Sequence, residues 1–245
     1  MKKNTNKAST LPQFSSSSSE EDINNSLDKI KILALHGKGG SGLEFQCTLS
    51  PFLNALQKQY NEVDVDYLTA PFDGGQWWTL PPGVRSFNAD KYEGFEISSQ
   101  LVQEALANTK YDFILGHSQG AILLSALIAQ SKDGSFLSNG TGKDAPVDII
   151  LNGAAWPNPF TELLESVEVT EEASFRCLFV IGEKDKINPP EGAKRIRESM
   201  KKGGIQVSTI CHSGGHSVPV KNEEDLQRII EWMQDGTICL DRNSC

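Results

Sequence analysis

The chain has 245 residues, 38% of them hydrophobic, and a formal net charge of -9. That length suits one α/β domain with a substantial core, and the acidic balance, without a basic stripe or aromatic–basic interleaving, argues against nucleic acid or an anionic membrane surface as partner. No apolar run is long enough to span a bilayer, and five cysteines without C-x-x-C spacing fit a reducing, cytoplasmic compartment better than a disulfide framework.

Residues 1–28 carry Lys2, Lys3 and Lys7, the run Ser15 to Ser19, and then Glu20-Glu21-Asp22. With few large apolar side chains, this segment reads as a disordered tail. It lacks the apolar stretch of a secretory signal, and its acidic end and lack of arginine disfavour a transit peptide. The folded domain is expected over 29–236, with a short tail at 237–245.

Six strand-like runs follow in order: Ile30–His36, Val63–Thr69, Tyr111–Leu115, Val147–Leu151, Cys177–Ile181 and Val207–Cys211. Most are continuously apolar, as strands buried on both faces are. Cys177 and Cys211 read as small core residues. Helical patterns separate the runs. Phe45, Leu49, Phe52, Leu53, Leu56 and Tyr60 share one face, which Pro51 is expected to break or kink. A second helix carries Leu101, Val102, Ala105 and Leu106. A third, after Ser118, is apolar nearly all round and should lie centrally. Pro189-Pro190-Glu191 opens another, and a last one, with Leu226, Ile229, Ile230 and Met233, stops at Gly236. Strand–helix alternation of this kind implies a mostly parallel, doubly wound sheet of about six strands. The irregular stretch Pro71 to Tyr92, with Trp77-Trp78, reads equally well as a lid or as a packed surface loop.

Gly116-His117-Ser118-Gln119-Gly120 stands between the third strand and the central helix. A G-x-S-x-G sequence in strand–turn–helix context is a nucleophile elbow, with the hydroxyl exposed at the helix N-terminus. The alternative is a tight turn in which Ser118 merely caps the helix. A serine nucleophile needs a base, and the base needs an orienting acid. The chain has four histidines. His216, in the loop after the last strand, is best placed as the base, with His212 as the second choice; His117 is expected to point elsewhere. Asp185, in Gly182-Glu183-Lys184-Asp185 after the fifth strand, is the acid, ahead of Glu183, while Asp148 begins a strand and belongs at the opposite edge. Ser118, Asp185 and His216 then fall in the order of an α/β-hydrolase triad, all beyond the carboxyl ends of their strands. The main-chain N–H groups of Gln119 and Lys38 are the candidate oxyanion donors. The Lys38 ammonium either favours acidic substrates at the mouth or is simply solvated. Trp77, Trp78 and Trp156 are candidates for an apolar acyl pocket, with core packing as the alternative.

A rival lies in Gly37-Lys38-Gly39-Gly40-Ser41-Gly42, which matches G-x-G-x-x-G, with Asp64 and Asp66 near the distance of a ribose-binding acid. It suggests a nicotinamide-dependent oxidoreductase but leaves the elbow, Asp185 and His216 unexplained. A non-catalytic binding protein on a hydrolase fold would require a broken triad. His212 and His216 have i,i+4 spacing in a glycine-containing loop, which is not a helical zinc pattern, and no metal site is expected.

Taken together, Leu35-His36-Gly37, the elbow, Gly182-Glu183-Lys184-Asp185 and His212-Ser213-Gly214-Gly215-His216-Ser217-Val218-Pro219 resemble the FSH family of serine hydrolases, compact α/β-hydrolases. The resemblance spans about Ile30 to Met233. It implies a small esterase or thioesterase acting on carboxylic esters of small molecules, without metal or organic cofactor, with Ser118 as nucleophile, Asp185 as orienting acid and His216 as base. The chain departs from the family at Lys38-Gly39-Gly40-Ser41-Gly42, where members carry a bulkier residue followed by an amide side chain.

Overall fold

The computed structural model describes residues 29–131, 147–168 and 175–235; the expected tails, 1–28 and 237–245, lie outside the described residues. Strands β1 (Lys29–Leu35), β2 (Glu62–Leu68), β3 (Phe113–His117), β4 (Asp148–Asn152), β5 (Arg176–Gly182) and β6 (Gln206–His212) form one parallel sheet in the order β2-β1-β3-β4-β5-β6. This is the expected α/β-hydrolase architecture. The strand order reverses between β1 and β3, so a crevice opens beyond their carboxyl ends.

Alternate residues along the strands feed two cores, one on each face of the sheet. Leu33, Leu35, Ile114, Leu151, Phe179 and Ile181 pack under helices α2 (Phe95–Asn108), α3 (Gln119–Ser131), α4 (Thr161–Glu165) and α5 (Pro190–Lys202). Ile32, Ala34, Phe113, Leu115, Ile150 and Val180 pack under α1 (Gly42–Leu56) and α6 (Glu223–Asp235). Every residue of α3 from Gln119 to Ala129 is buried, as its all-round apolar sequence requires. At the edge away from the crevice, Asp148 pairs with Arg176, whose Nε lies 2.8 Å from the carboxylate. Among the described residues, no helix is long and apolar enough to cross a membrane.

Three local expectations change. Helix α1 runs through Pro51. The ring removes the N–H that would bond the carbonyl of Cys47, and Ser50 Oγ donates to that carbonyl instead, at 2.9 Å. Ser41 caps the same helix, accepting from Glu44 N at 3.3 Å and donating to the Glu44 carboxylate at 2.9 Å. Second, Cys177 is a free, buried thiol, but Cys211 is disulfide-bonded, so it is not the unpaired core thiol expected in a reducing compartment.

The third change concerns the tryptophans. Trp77 and Trp78 have 0% of their surface exposed, and Trp78 stacks on Tyr92 with ring centroids 4.2 Å apart, beside Phe95. Trp156 is also buried; its Nε1 donates to Thr161 Oγ1 at 2.8 Å, and the Arg195 guanidinium covers its ring at 3.6 Å. The region 71–92 is therefore a packed insert whose aromatics complete the larger core, and none of the three tryptophans borders the cleft beside Ser118. Removing a fully buried indole leaves a cavity that the surrounding rings cannot fill. Trp78→Ala is expected to destabilise the protein by about 3–5 kcal/mol, read as a lowered urea midpoint with an unchanged slope.

Candidate active site

Five strand ends, those of β1, β3, β4, β5 and β6, meet at the crevice. β3 delivers Ser118, whose φ of 52° makes it the sole non-glycine residue in the left-handed region among the described residues. That conformation costs about 1–3 kcal/mol and persists because the neighbouring glycines permit it. A Cβ on Gly116 would lie 2.8 Å from the Ala121 backbone, and one on Gly120 would lie 2.6 Å from the Leu35 carbonyl oxygen. Ser118 N donates to Asn152 O at 2.9 Å, and Ser118 O accepts from Ile122 N at 3.0 Å. The turn is thus bonded forward into α3 and sideways onto β4.

The loops after β5 and β6 are joined to each other. Glu183 N donates to His212 O at 2.9 Å, and Lys184 N donates to Gly214 O at 3.0 Å. These contacts bring together the three residues selected from sequence. His216 Nε2 lies 2.7 Å from Ser118 Oγ, and His216 Nδ1 lies 2.6 Å from Asp185 Oδ2. The other carboxylate oxygen of Asp185 accepts the N–H groups of Ile187 and Asn188, at 2.8 and 2.9 Å. With the carboxylate accepting, Nδ1 carries the ring proton and Nε2 offers its lone pair to the serine O–H. Behind the imidazole, Gly153 (φ 59°) leaves room; a Cβ there would lie 3.2 Å from His216 Nδ1. Its carbonyl accepts from Asn188 Nδ2 at 2.7 Å.

The alternative residues have other tasks. His212 is buried, with Nδ1 accepting from Gly214 N at 3.2 Å, so it shapes the loop that carries His216. Glu183 is exposed. Asp64 and Asp66 pair with Lys31 at 2.9 and 3.3 Å, and Asp66 accepts from Tyr111 Oη at 2.7 Å. They sit within β2, where a ribose would not reach them, which removes the support for a dinucleotide site.

The loop after β1 presents its amides unequally. Gly39 N donates to Gly75 O at 3.0 Å and Gly40 N to Gly37 O at 3.3 Å. The Lys38 N–H has no acceptor among the described residues. Gln119 opens α3, so its N–H has no helical acceptor either. The Gln119 side chain, by contrast, is fully engaged: Oε1 accepts from Trp77 N at 2.9 Å and Nε2 donates to Trp78 O at 3.3 Å. Trp77 Nε1 donates to His36 O at 2.7 Å. His36 is itself locked, with Nε2 accepting from Ala70 N at 3.0 Å and Nδ1 donating to Gly37 O at 2.6 Å.

Two neighbours of the triad escape the sequence reading. The His117 ring does not point away; it packs 5.1 Å from the His216 ring and 6.1 Å from Phe45, centroid to centroid. Asn152 Nδ2 lies 2.7 Å from His117 Nδ1. Burial first, and then repulsion from His216, pushes the His117 pKa down to about 3. Asn152-Gly153 is legible as a polar pair at the carboxyl end of a central strand, where sites assemble. Nothing in sequence separation pairs it with His117. Beyond Ser118 a cleft of about 950 Å³ opens on the α1–α6 side, bordered by Lys38, Glu44, Phe45, His117, Val218 and Lys221.

A family model described as "Serine hydrolase (FSH1)" matches residues 25–227. The chain belongs to the FSH1 serine hydrolase family. Relatives include an esterase of Aedes aegypti, 26% identical over 223 residues, which is 84% of this chain and 76% of that protein. An esterase of Caenorhabditis elegans is 24% identical over 230 residues, covering 84% and 94%. Among solved structures, Arabidopsis thaliana SOBER1 superposes with a TM-score of 0.59 at 19% identity, over 84% of this chain and 98% of that one. Zea mays acyl-protein thioesterase 2 superposes at 0.59 and 19% identity, over 86% and 94%. At these identities the structural neighbours establish the α/β-hydrolase fold, and the FSH1 match establishes the family.

Two expectations follow from the site's packing. A Cβ on Gly37 would sit 3.0 Å from Ser118 Cβ and 3.1 Å from His117 Cδ2, so Gly37→Ala should shift the serine by a few tenths of an ångström. It is expected to slow modification of Ser118 by a fluorophosphonate about tenfold while the thermal midpoint moves by only a few degrees. The second concerns pH. His36, His117 and His212 all have pKa values lowered from 6.5, each mainly by burial. The native state holds them neutral, whereas the unfolded chain takes up protons below about 6.5. Stability should therefore fall as pH drops from 7 to 5, and His117→Phe should flatten that slope. Urea unfolding at pH 7, 6 and 5 measures both.

Proposed function

We propose that this FSH1-family protein is a serine esterase or thioesterase that works through an acyl-enzyme. The reading rests on His216, whose ring nitrogens lie 2.7 Å from Ser118 Oγ and 2.6 Å from Asp185 Oδ2. Ser118 attacks the substrate carbonyl while His216 Nε2 takes its proton. Asp185 keeps Nδ1 protonated and stabilises the imidazolium. His216 then gives the proton to the departing alcohol or thiol, and water activated by the same imidazole releases the acid. The oxyanion is bound by the main-chain N–H groups of Gln119 and Lys38, which have no acceptor among the described residues. Insect and nematode relatives named as esterases support the ester bond as the target, and the maize thioesterase neighbour keeps thioesters in the same class.

The substrate is a small molecule seated in the α1–α6 cleft, where Phe45 and Val218 provide apolar contact and Lys38, Glu44 and Lys221 provide charge at the border. A fluorophosphonate probe should label the wild-type protein and leave Ser118→Ala unlabelled; labelling retained in the alanine variant would move the nucleophile elsewhere. Asp185→Asn should keep the fold and reduce kcat on a p-nitrophenyl ester by about three to four orders of magnitude.

A further inference from the structure

We propose that His117 is a substrate-recognition residue, using its Nε2–H to bind an oxygen atom of the substrate on the α1–α6 side of Ser118. The inference rests on the esterase reading and adds to it a class of substrate: esters with an acceptor oxygen a few atoms from the scissile carbonyl.

The argument starts from the ring's two edges. On one, Nδ1 faces Asn152 Nδ2 at 2.7 Å. As the amide stands, Nδ2 faces Nδ1 and donates to it, which leaves the ring proton on Nε2, while Asn152 Oδ1 is buried without a partner among the described residues. Asn152 is itself 1% exposed, and its main-chain oxygen holds Ser118 N at 2.9 Å. The main chain that carries this amide is thus bonded to the elbow. On the other edge, Cδ2 and Nε2 face Gly37, where an added Cβ would meet them at 3.1 and 3.6 Å, beside Ser118 Cβ at 3.0 Å. This places the N–H next to the nucleophile and the loop that presents the Lys38 amide. Nε2 has no acceptor among the described residues, and the ring borders the cleft. Phe45 on one side and His216 on another restrict the ring from turning. Burial keeps it uncharged through the neutral range, so it offers one fixed donor and no competing cation beside the His216 imidazolium. A fixed donor at a cleft wall discriminates in favour of a substrate that pairs it, because an alkyl group in the same place leaves it dry and unbonded.

The test compares isosteric substrates that differ by one oxygen. p-Nitrophenyl methoxyacetate and p-nitrophenyl butanoate probe the acyl side; 2-methoxyethyl acetate and butyl acetate probe the alcohol side. An ether oxygen accepts but does not donate, so it reads a donor at Nε2. For each pair the ratio of kcat/KM, oxygenated over alkyl, is measured in wild type, His117→Phe and His117→Gln. Dividing the variant ratio by the wild-type ratio cancels the intrinsic reactivity of the esters. His117→Phe is expected to lower the ratio about tenfold in one of the two series, which also identifies the group that lies in the cleft. His117→Gln, whose amide can still donate, should restore part of it. Ratios unchanged in both series, including the case where all rates fall together as a packing role would make them, overturn the proposal. If wild type hydrolyses neither series and takes no fluorophosphonate label, the esterase reading fails instead.

Discussion

The left-handed turn at Ser118 is the constraint on which the rest of the site depends. A non-glycine residue at φ 52° is held against its own preference, so its surroundings have to over-determine it. Gly116 and Gly120 let β1 and α3 approach without a Cβ between them, and Asn152 O takes the serine N–H. The same turn aims three groups at once: Oγ toward His216, the Gln119 amide toward the crevice, and the His117 ring along the cleft wall. Relaxing the turn would misplace all three, which is why two glycines and a central helix buried from Gln119 to Ala129 surround it.

The parallel sheet then solves an addressing problem. All six strands point the same way, so any residue just after a strand lies at the same edge, whatever its distance in sequence. Ser118 and His216 are 98 positions apart, yet strand ends and chain order suffice to pair them. This makes the fold, and the meeting of Ser118, Asp185 and His216 at one edge, readable from sequence. In the loop after β1, Gly39 and Gly40 use their amides within the protein, which leaves Lys38 as the candidate donor, a distinction the sequence does not carry.

The remaining features turn on side-chain direction or on a distant partner. A pair of tryptophans after a strand end reads the same whether it faces a pocket or a core. The main chain of Trp77 and Trp78 is anchored by the side-chain amide of Gln119, 42 and 41 positions away, the Trp77 ring by the carbonyl of His36 and the Trp78 ring by stacking on Tyr92. The His117 ring is illegible for the same reason, since its orientation depends on Asn152, 35 positions on. Pro51 reads as a helix breaker because a proline's cost is local, but so is its remedy, here a hydroxyl one residue earlier. The pairing of Cys211 leaves no mark in its own strand, where a free and a bonded cysteine occupy similar space.

The double use of Gln119 has a consequence for anyone reshaping this enzyme. Its main-chain N–H is a candidate oxyanion donor while its side chain is tied to Trp77 and Trp78, and Trp77 in turn holds the carbonyl of His36 that leads into the Lys38 loop. The aromatic insert is therefore the chassis of both candidate oxyanion amides, though no tryptophan borders the cleft. Combinatorial libraries that treat these rings as pocket wall would lose turnover for no gain in substrate range. Diversity placed on α1 and on the loop leading into α6 reaches the cleft without disturbing that chassis.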